Sequence, residues 1–285
     1  MTVEHISDTA RWVAVYRAME TERPDAHFRD PYARRLAGAE GEEIVRSLRH
    51  GKAMAWAMVV RTAVLDELIL RAVAGGSDLV LNLAAGLDTR PYRLDVPRRL
   101  RWVEVDLPTL TEYKEDQMRG EQPRCGLERI RLDLTDLAAR RTLFARLGAE
   151  AKQVTVVTEG LLAYLMPEQV AGLATDLHTP PTFARWLTEL ASPWILRYMQ
   201  RKYRKVTGSS GTAPMHFGPA EGAEFFRPYG WDVVEQRSML DEARRLHREM
   251  RLAWFWRLLA VTRKQRERAR QISQIIELVR GTGSR

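Results

Sequence analysis

Acidic side chains recur at the ends of short aliphatic runs. Asp106 follows "LRWVEV", with Glu104 two residues before it; Asp133 follows "ERIRL"; and Glu159 follows "QVTVVT" and is itself followed by Gly160. The run "DLVLNL" ends instead in Ala84, Ala85 and Gly86, a turn that exposes backbone. One carboxylate can accept from two neighbouring hydroxyls, so an acid after such a run suits a ribose. Asp106 lies twenty residues beyond Gly86, the separation expected of a nucleoside-binding α/β unit. Each residue alone has a simpler reading: Gly86 could be a tight turn, and Asp106 or Asp133 a cap. Glu159 is harder to explain so, because a carboxylate closing the apolar run "VTVV" is costly to desolvate without a partner. Their occurrence in register, run after run, points to a ligand.

The turn after the first run narrows the choice of nucleoside. Nicotinamide dinucleotides and S-adenosylmethionine both contain a ribose for Asp106. A pyrophosphate needs several closely approached amides, usually supplied by G-x-G-x-x-G. The matching segment here is A-A-G-L-D-T, with one glycine and with Asp88 where phosphates would lie. Asp88 is better matched to a cation such as the α-ammonium of a methionine moiety.

The elements that must position these residues are legible as well. Apolar positions at helical spacing fill the first seventy-five residues, as in Met54, Met58, Thr62, Leu65 and Ile69. Pro31 stands where a helix can begin and Gly38 where one can end. After Gly75 and Gly76, seven aliphatic or β-branched runs alternate with helix-length segments: "DLVLNLA", "LRWVEVD", "ERIRLD", "QVTVVTE", "FARWLTEL", "WDVVEQ" and "QIIELVR". This alternation predicts a doubly wound sheet, whose ligands bind at the carboxyl ends of the strands where the chain order reverses. We expect one domain over 1–285: a helical cap over 1–75 and a cofactor-binding α/β core over 76–285. Residues 192–221 form a lid-like insertion between the fifth and sixth strands.

Composition sets the outer limits. A 285-residue chain with 45% hydrophobic content can bury a large core. The most apolar stretch, "AMAWAMVVRTAVLDELIL", is broken by Arg61, Asp66 and Glu67, so no membrane span is expected. "MTVEHISDTARWV" lacks a basic start followed by an apolar segment, which argues against a secretory signal and for a cytoplasmic protein. Cys125 stands alone and reads as an ordinary thiol; no metal site is expected. The net charge of +8 gathers in 197–205 and 263–271. A solvated helix face explains it more simply than nucleic acid, because no zinc finger, helix-turn-helix or aromatic RNA-binding signature accompanies it.

Together, "VVRTAVLDELI", "VLNLAAGLDTRPYRL", "VEVDLP", "RLDLTD" and "VTEGLLAYLMPEQV" resemble the S-adenosylmethionine-dependent methyltransferases of the leucine carboxyl methyltransferase type, including the bacterial tetracenomycin-polyketide methyltransferase relatives. The resemblance covers nearly the whole chain and implies a class I methyltransferase fold, Rossmann-like, with an N-terminal helical cap. It implies that Arg61 holds the methionine carboxylate, that Ala84 to Gly86 present backbone to the cofactor, and that Asp106 binds the ribose. Asp133 and Leu134 would contact the adenine, and Glu159 would face the methionine end near the sulfonium. A second basic residue near the N-terminus would help with the carboxylate; Arg17 and Arg23 are the candidates. The family's usual G-A-G is A-A-G here, so Ala84 adds a methyl group where the backbone should approach the cofactor.

The expected activity is O-methylation of a carboxylate or hydroxyl of a small molecule, a secondary metabolite; a protein carboxyl terminus is the alternative acceptor. A phenol or alcohol acceptor needs a base nearby, whereas a carboxylate does not. His178 in "DLHTPP" and His216 in "APMHFGP" are expected in loops near the rim, and Tyr164 follows Glu159 by five residues. Tyr164 and His216 are the catalytic candidates. Trp194, Tyr198, Met199 and Tyr203 could form one aromatic helix face over the acceptor, with Arg197, Arg201 and Arg204 attracting an acidic one; ordinary core is the competing reading. A nicotinamide-dependent oxidoreductase would share Asp106 but should show a multi-glycine turn. A nucleic-acid-binding module would use the basic segments and bind with steep salt dependence.

Overall fold

A computed structural model of the chain describes residues 3–47, 55–207, 215–250, 262, 267 and 269–281. All seven runs form strands: β1 (Leu79–Leu83), β2 (Arg101–Asp106), β3 (Gly126–Arg131), β4 (Val154–Thr158), β5 (Phe183–Ala191), β6 (Trp231–Ser238) and β7 (Ser273–Arg280). They build one sheet in the order β3-β2-β1-β4-β5-β7-β6. The first five pair in parallel, and β7 lies antiparallel between β5 and β6. The chain runs outward from β1 to β3 and then returns to the other side of β1, so the order reverses between β1 and β4. That is where an α/β sheet opens a crevice for a ligand.

Strand alternation divides the core into two layers. Leu79, Leu81, Val103, Val156 and Trp186 face one side, where they pack with Leu143, Phe144, Val170 and Leu173. Val80, Trp102, Val157 and Leu187 face the other, against Val60, Val64, Leu68 and Ile69. The first layer is covered by α6 (Leu137–Glu150) and α7 (Pro167–His178), the second by α3 (Ala55–Ala74) and α9 (Met239–Arg245). With helices on both faces, every residue of β1 and β4 is buried, which is why those runs read as continuous apolar segments.

Of the helices within the expected cap over 1–75, α3 packs on the sheet face, and α1 (Val3–Thr21) and α2 (Ala33–Ser47), the latter interrupted at Gly38, where φ is +62°, remain as the cap. Ala14, Val15 and Leu36 of the cap pack with Leu87 and Tyr92, on either side of the start of the short α4 (Arg90–Arg93), and with Leu110 of α5 (Pro108–Gln117). The cap therefore sits on the turn that follows β1. Between β5 and β6 come α8 (Pro193–Thr207) and a 3-10 stretch, Gly222–Tyr229. Met54, residues 208–214 and most of the 263–271 basic run lie outside the described residues, as do the side chains of Met199, Tyr203 and Arg204. No helix among the described residues is long and apolar enough to cross a membrane.

Candidate active site

The turn after β1 is held in a conformation that most side chains avoid. Ala84 has φ +54° and Gly86 φ +52°. For alanine the left-handed region costs roughly 1–2 kcal/mol, so the A-A-G departure shows here as backbone strain. The Gly86 N–H points at Asp106, whose Oδ2 accepts it at 2.6 Å; Oδ1 accepts from Leu107 N–H at 2.7 Å. Burial nevertheless raises the Asp106 pKa, against those two N–H donors and Lys114. Each carboxylate oxygen keeps a second lone pair, so Asp106 can brace the turn and still accept from a ribose.

Beyond Gly86, the residues of "LDTRPYR" turn inward. Asp88 is buried and accepts from Asn82 Nδ2 at 2.8 Å, Arg90 N–H at 3.0 Å and Arg90 Nη1 at 3.0 Å. Burial opposes its ionisation, but Arg90 and the more distant Lys114, Arg93 and Arg17 outweigh this and hold it well below the usual carboxylate range. Asp88, expected to meet a cofactor ammonium, is here paired with a guanidinium of the same turn. Thr89 Oγ1 donates to Asp30 at 2.7 Å, and Arg17 joins Asp30 (2.8 Å) to the Leu87 carbonyl (2.6 Å). Arg17 thus staples the cap to the turn, and Arg23 is exposed beside Asp25.

On the β4 side, charged groups form a chain. Arg90 Nη1 donates to Glu159 Oε2 at 2.7 Å, and Arg61 Nε to Glu159 Oε1 at 2.8 Å. Arg61 Nη1 continues to both oxygens of Glu189, at 3.1 and 3.0 Å. Arg90 and Arg93 also meet at Asp66 of α3. Four acids (Asp66, Asp88, Glu159, Glu189) thus face three arginines (Arg61, Arg90, Arg93), a formal surplus of one negative charge. Burial pushes Glu159 up, but Arg90 and Arg61 prevail and its pKa is lowered; Glu189 is raised, because burial outweighs Arg61 there. Arg61 Nη2 has no acceptor among the described residues.

Glu189 is the residue that strand-end reasoning reaches only when applied to β5 as well. It sits near the end of that strand, as Glu159 does after β4, but "FARWLTEL" stands out in the sequence for its strand character alone. Tyr164 stands close by: burial raises its pKa, with Arg61 opposing and Glu189 adding, and its hydroxyl shares a hydrogen bond with Thr9 of α1. His216 is exposed, its backbone N–H bonded at 2.7 Å to the carbonyl of Ala163, next to Tyr164.

The other expected residues are spread along the sheet. Asp133 is exposed, and its carboxylate accepts from Thr135 N–H (2.8 Å) and Oγ1 (2.7 Å), a turn cap after β3. Leu134 is half-buried against the core. Glu104 is buried between Lys114 (2.9 Å) and Arg129 (3.0 Å) and does not reach the rim. His178 corrects an expectation: it ends α7 and packs edge-on to Trp231, the first residue of β6. The chain is returning there to the start of β5, which places His178 at the opposite end of the sheet from Glu159. An open groove of about 780 Å³ follows the outer edge of β3, and a hollow of about 300 Å³ lies between α3 and the loop around Phe28. Neither includes Arg61, Asp106 or Glu159. Over the rim itself α1 lies close, with Ala10 Cβ 3.5 Å from where a Cβ on Gly86 would stand.

Known proteins share both fold and sequence with this chain. A DUF574 family protein from Streptomyces avermitilis superposes with a TM-score of 0.59, over 96% of this chain and 97% of its own, at 15% identity. A provisionally named methyltransferase from Thermobifida fusca gives 0.56 over 85% and 89%, also at 15%. At that identity the likeness is one of fold. In sequence, a Streptomyces coelicolor protein provisionally named as an S-adenosyl-L-methionine-dependent methyltransferase is 38% identical over 173 residues. The match spans 57% of this chain and 60% of that protein. One of the same description from Mycolicibacterium smegmatis is 36% identical over 260 residues, 82% of this chain and 85% of its own. The leucine carboxyl methyltransferase family model matches residues 10–178, from the cap through α7, and the chain belongs to that family of S-adenosylmethionine-dependent methyltransferases.

Proposed function

We propose that this chain transfers the methyl group of S-adenosylmethionine to a carboxylate or hydroxyl oxygen of a small molecule, a secondary metabolite. The carrying observation is Arg61, held between acids from the ends of β4 and β5 with Nη2 unpartnered among the described residues, on the β4 side of the crevice that Asp106 flanks across β1. The residues present fit the cofactor. Arg61 Nη2 would take its carboxylate, Asp106 the ribose and the backbone of Ala84 to Gly86 the nucleoside. Leu134 and Asp133 would lie toward the adenine, and the acidic surplus around Glu159 suits a ligand that carries an ammonium and a sulfonium. The cofactor supplies the activated methyl. The chain's part is to align the acceptor and to exclude water.

A carboxylate is favoured over a phenol or alcohol. Tyr164, with its pKa raised, stays protonated at neutral pH and can donate a hydrogen bond but not accept a proton. His216 is exposed and anchored only through its backbone. A carboxylate arrives already ionised and needs neither as a base. A protein carboxyl terminus is the other acceptor of that chemistry, and the family description supports it.

Calorimetry with S-adenosylmethionine, S-adenosylhomocysteine and NAD, on the wild type and Asp106→Ala, tests the cofactor site. We expect the two sulfur nucleosides to bind and the variant to lose at least about tenfold, one hydrogen-bonded charged contact. Binding of NAD alone would end the proposal. With methyl-labelled cofactor and a panel of acids and phenols, label released by alkali as methanol would mark an ester, and alkali-stable label an ether.

A further inference from the structure

Arg61 is gripped on two of its three nitrogens. Glu159 accepts from Nε, and both oxygens of Glu189 accept from Nη1. Glu189 is itself fixed from a third direction, because its Oε1 accepts the Gly160 N–H at 2.8 Å. That amide is aimed by the turn after β4, where Gly160 has φ +71° and a Cβ would stand 3.7 Å from Arg61 Nη1. The guanidinium is planar and rigid, so holding Nε and Nη1 determines where Nη2 points. Nothing else among the described residues holds Nη1.

We infer that Glu189 is a positioning residue for cofactor binding: it clamps Arg61 so that Nη2 alone remains, in a fixed direction, for the cofactor's carboxylate. This rests on the reading of Arg61 as the carboxylate's partner. Without Glu189, Nη1 loses its acceptor and the guanidinium can turn about its Nε contact with Glu159, so each binding event must order it again. The clamp is independent of the ribose and adenine contacts, which would come from the ends of β1 and β2 and the turn after β3. Its loss should therefore weaken ligands that carry the amino-acid end and spare those that lack it. The substitution Glu189→Gln would keep an acceptor oxygen for both Gly160 N–H and Arg61 Nη1, whereas Glu189→Ala keeps none.

The test compares S-adenosylhomocysteine with 5′-methylthioadenosine, which has the nucleoside and the sulfur but no amino acid, by calorimetry on four proteins. In the wild type the amino-acid end should favour S-adenosylhomocysteine. Arg61→Ala should abolish that preference; if it does not, the reading of Arg61 fails, and the inference with it. Glu189→Ala should cut S-adenosylhomocysteine affinity roughly tenfold, about 1.4 kcal/mol, and leave 5′-methylthioadenosine within twofold. Glu189→Gln should recover most of the loss. Equal weakening of both ligands by Glu189→Ala would show a general structural role and overturn the inference, as would unchanged affinity for both. Loss of preference in Arg61→Ala but not in Glu189→Ala would keep the site and remove Glu189 from it.

Discussion

Arginines are used in opposite ways at the rim of the sheet and on α8. At the rim, Arg61, Arg90 and Arg93 are nearly enclosed and each is bound to at least one carboxylate. On α8, Arg197 and Arg201 are exposed and have no carboxylate partner among the described residues. They flank Trp194 and Tyr198, whose rings stack at 5.8 Å and lie 56% and 49% exposed. A buried cation must be paired, because stripping its water costs several kcal/mol; an exposed one keeps its water and can meet whatever arrives. In the proposed site the paired arginines would preorganise the end that meets one invariant cofactor. The unpaired ones lie beside aromatic surface on the segment expected to meet the acceptor.

The comparison breaks first at Arg90. Arg90→Met leaves Asp88, Asp66 and Glu159 without their shared partner, and denaturant unfolding should show a loss of about 3–5 kcal/mol. A loss below about 1 kcal/mol would mean that the network contributes no more than a surface ion pair.

Acid is the second probe. The folded pKa values of Asp88 and Glu159 lie below their ordinary values. Their stabilisation is thus complete above about pH 4 to 4.5, where the unfolded carboxylates ionise, and is lost as pH falls through the folded values. Urea midpoints should drop steeply below about pH 4 in the wild type and less steeply in Asp88→Asn. Arg197→Gln, which touches no carboxylate, should leave that limb unchanged.

Relief of the left-handed Ala84 is a smaller effect. Ala84→Gly removes the strain but gives the unfolded chain more freedom, for a net gain of about 0.5–1 kcal/mol in chemical denaturation. It should also tighten S-adenosylhomocysteine, because in the proposed site the backbone at residue 84 approaches the cofactor. Smallest is the effect on stability of Trp194→Ala or Tyr198→Ala, within about 0.5 kcal/mol for such exposed side chains. Turnover of the acceptor should fall in both variants while cofactor affinity holds, and a Tm drop of several degrees would show instead that the pair is packed.

Seven strands, the helical start and the crevice at the strand ends are legible in the sequence because periodicity and strand-terminal residues are local properties. Asp106 and Glu159 follow from that reasoning and Arg61 from family resemblance; the structure brings Arg61 to Glu159, with Asp106 across β1. Glu189 escapes it although the same rule reaches that far, because its run is conspicuous only as a strand. Sequence proximity puts Asp88, Asp133 and His178 at the rim. The structure keeps Asp133 there, exposed after β3 as a turn cap, but turns Asp88 inward onto Arg90 and carries His178 to the far end of the sheet.

By itself the sequence determined which residues end which strands, and that the turn after β1 lacks the glycines a diphosphate requires. A strand's end and a turn's chemistry depend on a few neighbouring residues. Only the tertiary structure decided which acid meets which arginine, for Arg61 finds Glu159 and Glu189 across separations of 98 and 128 residues. A side chain's charge is written in the chain, but its partner is chosen by the sheet order that brings β4 and β5 side by side under α3.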